Sequence, residues 1–230
     1  INQLHPEQIS FVDRSVASKQ FFGSEHNLAG EGGSLNYLLP VSFYSQLEVG
    51  TYQAIAEESE EEHANVEYEN KIFTGRLWNS FELNNKNELE IGLNYVLGNA
   101  TASDSIDQQE LMGTDITLQR ELANGKSIKF QSELFQANYG EDGEERETQT
   151  GYFASVVYKH NQYFNAGARY AILGTHGDEG SEITEISLMA TRQLTETTKF
   201  RLQYTTGEGV EDTIYAKLMF GMGPHSHVLQ

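Results

Sequence analysis

Eight charged residues, Arg76, Glu90, Lys129, Glu133, Lys159, Arg169, Arg201 and Lys217, fall within segments whose apolar residues recur at every second position. In a strand, successive side chains point to opposite faces, so these charges share a polar face set against an apolar one. A mixed set of charges lining a water-filled interior would order ions and polar solutes as they pass. The bland alternative is that they pair across a narrow, packed interior and only stabilise it.

The remaining candidates are weaker. Residues 56–70 are strongly acidic, with Glu60, Glu61 and Glu62 at the centre, and cannot form a buried strand. They read as an exposed extracellular loop in which His63 is one more charged-loop residue. His225 and His227 flank Ser226 and could hold a divalent metal with nearby carboxylates, but zinc needs a third and fourth ligand, so a solvated tail is the simpler reading. Acidic outer loops could bind divalent cations loosely, bridging to lipopolysaccharide phosphates, yet Gly140 to Glu145 lacks the spacing of an EF-hand. No resident cofactor is expected. The sequence Gly125-Lys126-Ser127 has Arg120 where a P-loop needs its first glycine, and Gly30 to Ser34 opens a strand, so neither is a nucleotide-binding motif. With no nucleophile elbow and no evident Ser, His and Asp set, the chain does not read as an enzyme.

The elements that must carry these residues are strands. Ile214, Ala216, Leu218, Phe220 and Met222 fall on one face of the segment Thr213 to Met222, against Tyr215, Lys217, Met219 and Gly221. Glu88 to Leu97 alternates most clearly, with Leu89, Ile91, Leu93, Tyr95 and Leu97 opposed to Glu90, Gly92, Asn94 and Val96. Comparable segments run over 31–39, 43–55, 71–83, 109–122, 126–139, 148–159, 163–173, 182–194 and 199–206. Asn124-Gly125 is a hairpin signal because the type I′ turn needs positive φ at both central residues. Phe43 and Tyr44 are placed for an interfacial aromatic girdle. Polar loops are expected over 98–107, 140–147, 174–181 and 207–212, and the excess acid is assigned to 57–69, 140–147 and 178–185 on the outer side.

Short turns alternating with long acidic loops are the pattern of an up-and-down antiparallel transmembrane β-barrel, and a Greek-key sandwich has no reason to show it. About eleven strands of roughly ten residues are visible, near the length a tilted strand needs to span a membrane. Bacterial single-chain barrels close on an even number, so about twelve or more strands are expected in all. The barrel is assigned to 28–223, after a loop or inward-folded segment over 1–27 and before a periplasmic tail over 224–230.

Composition agrees. The 230 residues are 38% hydrophobic and include no cysteine, so a disulfide framework is excluded. No apolar run approaches the roughly 20 residues of a membrane-spanning helix. The net charge of -19 argues against a nucleic-acid partner and suggests that any ion path favours cations.

The stretch from Gln3 to Pro40 resembles a family of Gram-negative outer-membrane porin-like barrels, often labelled zinc-regulated receptors or phosphate-selective porins. The matching residues are Asn2, His5 and Pro6, then Phe11 to Arg14, Phe21 to Gly23, Gly30 to Gly33 and the Tyr-Leu-Leu-Pro that follows. The tail from Phe220 to His227 is similar to the family's ending. In that family earlier strands precede the His-Pro element, so the resemblance implies that this chain is the C-terminal part of a longer barrel. Gln8 stands where a second histidine is expected near His5, which weakens any metal site carried over from the family. The reading is an outer-membrane channel for passive diffusion of small, cationic solutes, with membrane lipid and lipopolysaccharide around it. The alternative is a non-conducting barrel serving as scaffold or partner of another envelope component, with a metal link; a homo-oligomer or an envelope partner protein could accompany either reading.

Overall fold

The computed structural model describes residues 9–22, 30–54, 71–102, 105–139, 147–174 and 182–221. Alternation produces what it predicts, one sheet of eleven strands. They are β1 (Gly30–Leu38), β2 (Tyr44–Ala54), β3 (Lys71–Asn84), β4 (Asn87–Ala102), β5 (Ser105–Glu121), β6 (Ser127–Tyr139), β7 (Glu147–Asn161), β8 (Phe164–Leu173), β9 (Ile183–Gln193), β10 (Thr198–Gly207) and β11 (Val210–Phe220). Each is antiparallel to its neighbour, and the spatial order is the sequence order from β1 to β11. No described helix is long and apolar enough to cross a membrane.

A short helix, α1 (Val16–Phe22), precedes the sheet and packs on one face of it, contacting β6, β7, β8 and β9. We call that face inner. The outer face carries large apolar side chains in the open: Leu35, Val49, Phe73, Leu93, Leu134, Val156, Ile186, Leu202 and Ile214 come from nine different strands, and Leu93 is 49% exposed, Leu134 53% and Ile214 72%. A soluble sheet would bury such a belt, whereas hydrocarbon solvates it at no cost. The buried apolar residues lie inside, where Ala17 and Phe21 of α1 meet Phe135, Ala137, Phe153, Ala171 and Leu173.

The chain reverses between β5 and β6 through Ala123–Gly125, where Asn124 has φ 62° and Gly125 φ 69°, the positive values their types foretell. One end of the sheet has only short connections: 39–43, 85–86, 122–126, 162–163 and 194–197. At the other end three expectations need correction. The polar stretch is strand over 98–102 and again over 105–107, because β4 and β5 stay paired out to Ala102 and Ser105. Between Gly207 and Asp212 the turn is only Glu208 and Gly209, with Gly209 at φ 76° and β11 already begun at Val210. Glu185, assigned to an outer loop, lies on β9 and is 2% exposed, since it keeps period with Ser187 and Met189. Tyr44 corrects a fourth: adjacent strand residues cannot share a face, so Phe43 stacks on Phe81 at 4.6 Å while Tyr44 meets Trp78 edge-on at 5.1 Å on the inner side.

Candidate functional site: the inner face and the segment across it

The register places all eight charges on the inner face. Arg76 opposes Asn94 on β4, and Glu90 opposes Thr117 on β5. Glu133 opposes Asp115 and Phe153, Lys129 opposes Val157, and Lys159 opposes Asn165. Arg169 opposes Ser155 and Ser187, while Arg201 opposes Thr191 and Lys217. They do not form one ring. Arg169, Arg201 and Glu133 are buried, and Lys159 is exposed.

Arg169 is the centre of a clamp on the N-terminal segment. Its Nη2 donates to Glu185 Oε1 at 2.7 Å and to Asp13 Oδ1 at 2.9 Å, its Nη1 donates to the Asp13 carbonyl at 2.8 Å, and its Nε reaches Glu185 Oε1 at 3.0 Å. The guanidinium also lies 4.7 Å from the centre of the Phe11 ring, a cation-π contact. Asp13 is held further by Lys19 Nζ at 2.7 Å and Gln203 Nε2 at 2.7 Å. Burial alone would push the Asp13 carboxyl up; Arg169 and Lys19, with hydrogen bonds from Lys19 and Gln203, outweigh it and hold the group below the usual carboxylate value.

Further contacts fix the backbone. Gln203 Oε1 accepts from the Val12 N–H at 2.7 Å and Glu185 Oε2 from the Val16 N–H at 3.1 Å. Arg201 Nη1 donates to the carbonyls of Ile9 and Phe11, both at 2.7 Å, and its Nε donates to Thr191 Oγ1 at 3.0 Å. Ser15 Oγ accepts from the Ser18 N–H at 3.1 Å, capping α1. Gly151 on β7 lets α1 approach: a Cβ there would lie 2.5 Å from Phe21 Cε2 and 3.1 Å from Ala17 Cβ. Phe21 then stacks at 5.6 Å on Phe135. Beside this clamp, Arg76 donates to Asn94 Oδ1 at 2.7 Å and to Asp115 Oδ1 at 3.1 Å, and Asn94 donates to Asp115 Oδ2 at 2.7 Å.

Asp13, Glu185, Gln203 and Asp115 were not singled out from the sequence as site residues. A usable signal existed for Asp13 alone, which sits in the Phe-Val-Asp-Arg motif. Glu60, Glu61, Glu62, His225 and His227 lie outside the described residues. His160 is exposed beside Tyr158.

The sequence matches no protein-family profile and no curated protein. Among solved structures it is similar to an anion-selective porin from Comamonas acidovorans, with a TM-score of 0.55 and 11% identity. The match covers 89% of this chain and 60% of that porin. This likeness bears on fold: the chain has the up-and-down antiparallel architecture of a porin-like β-barrel, and it spans 60% of its neighbour's length.

Proposed function

We propose that the chain builds part of the wall of an outer-membrane channel for passive diffusion of small polar solutes, in contact with membrane lipid and lipopolysaccharide. The observation that carries this is the division of one sheet into an outer face of exposed aliphatic and aromatic residues and an inner face of charged and polar ones. Each of β1 and β11 pairs with one neighbour alone among the described strands. Lipid offers no partner to free N–H and C=O groups, so further strands close the barrel between them. The short-turn end is periplasmic on this reading.

Cation preference, expected from the net charge, has little support on the described wall. Among the described side chains of the strands, the inner face sets Arg76, Lys129, Lys159, Arg169, Lys199, Arg201 and Lys217 against Glu48, Glu82, Glu88, Glu90, Asp115, Glu121, Glu133 and Glu185, close to balance. A net cation preference therefore belongs to the acidic run at 57–62. The second reading, a non-conducting scaffold, draws on the segment 9–22, which covers the inner face of β6 to β10. Planar-bilayer recording of folded protein separates them: discrete conductance steps are expected, and their absence overturns the channel.

A further inference from the structure

The cross-strand rows of the inner face put three cations together at the short-turn end. Arg201 on β10 stands directly opposite Lys217 on β11, and Lys199 lies two residues along the same face of β10. The row through Arg201 continues to Thr191, Asn165 and Lys159 without an acid, and the partners of Lys199 are Gln193 and Met219. Like charges directly opposed in a sheet repel, so the arrangement destabilises the sheet unless something answers it.

Among the described residues no carboxylate supplies the counter-charge. The ion pairs of the described residues join Lys19 and Arg169 to Asp13, Arg76 to Asp115, and Arg169 to Glu185; Lys199, Arg201 and Lys217 take part in none. Arg201 is nevertheless 5% exposed. The carbonyls of Ile9 and Phe11 and the Thr191 hydroxyl take its Nη1 and Nε and leave Nη2 without an acceptor among the described residues. Carbonyl dipoles solvate a guanidinium without neutralising it, and a buried charge left uncompensated is costly. In the same row Asn165 Oδ1 is buried without a hydrogen bond; oxygen and nitrogen of an amide are interchangeable in assignment, so this position can equally present the N–H₂ as a donor.

We propose that Arg201 Nη2 and the Lys217 ammonium, with Lys199 at the rim, bind a small oxyanion of carboxylate or phosphate type. The two free N–H bonds of Nη2 beside a mobile ammonium suit two oxygens of one anion, through charge-assisted hydrogen bonds. The site rests on the proposed reading in one respect, that water and solute reach the inner face from the short-turn end.

The test uses the full chain folded in detergent micelles at low salt, titrated calorimetrically with sodium phosphate and with sodium acetate. Lys199→Gln/Lys217→Gln is the variant, since Arg201 also anchors the N-terminal segment, and Lys71→Gln on the outer face is the control. Binding of at least one anion is expected, weakened about tenfold or more in the double variant and unchanged in the control. Tighter phosphate identifies a phosphate-type ligand, and tighter acetate a carboxylate. No heat with either anion, or equal affinity in the folded double variant, overturns the site. Anion binding without bilayer conductance would sink the channel and keep the site, whereas conductance without binding would sink the site alone.

Discussion

Asp13 concentrates the chemistry of the inner face in one carboxylate. Its pKa is depressed in the folded chain, so by linkage its contribution is complete above the unfolded value of about 3.9 and is lost as pH falls through the lower folded value. Because the chain has no cysteine, Ser10→Cys carries a single fluorophore beside the clamp. The label should report a docked segment from pH 8 to pH 5 and its release below about pH 4. Asp13→Asn should abolish that acid step and weaken docking by about 1–3 kcal/mol at neutral pH, because Arg169 keeps Glu185 as partner. An unshifted acid transition in the variant would assign it to another group. Arg169 and Arg201 were legible in the sequence as inner-face charges, but what they hold was not. Their partners lie 156 and 192 residues away, and no local pattern encodes such a contact.

At the scale of the element, register and docking make separate predictions. Leu93 on the outer face of β4 should cost about 2–4 kcal/mol when replaced by arginine near the bilayer midplane. Thr117→Arg, inner and opposite Glu90, should change stability by no more than about 0.5 kcal/mol in chemical denaturation from lipid vesicles. Equal costs would remove the register. For α1 the sensitive position is on the strand beneath it: Gly151→Ala overpacks against Phe21 by an amount worth about 1–3 kcal/mol, so trypsin cleavage after Arg14 and Lys19 should rise about tenfold. Strand identity was legible because hydrophobic alternation is a local signal that the membrane enforces on every strand. Strand ends were less so: the polar residues of 98–107 suit an exposed hairpin as well as a loop, and composition alone does not separate the two. The helix was missed because the residues that bury it, Phe135 and Phe153 of the inner face, lie far along the chain from it.

For the whole molecule, net charge and wall charge give different answers about solutes. If the acidic run at 57–62 sets the field at the mouth, reversal potentials at 0.1 M salt should show mild cation preference, fading toward 1 M as the Debye length falls from about 10 Å to about 3 Å. Replacing Glu60, Glu61 and Glu62 together by glutamine should reduce it. Anion preference at low salt, unaltered by the triple variant, would assign selectivity to the wall cations.

Every strand pairs with its neighbour in sequence, while the segment before them reaches residues at the opposite end of the chain. Contacts of the first kind close short loops and can form one hairpin after another; those of the second must wait until β8, β9 and β10 are assembled. The clamp is thus a late event in the acquisition of structure, and a refolding experiment should resolve two stages. Far-UV circular dichroism should reach its final value first, and the label at position 10 should settle afterwards with its own rate. Asp13→Asn should slow or abolish only the second stage, and a single shared rate would mean that the sheet and the segment across it form together.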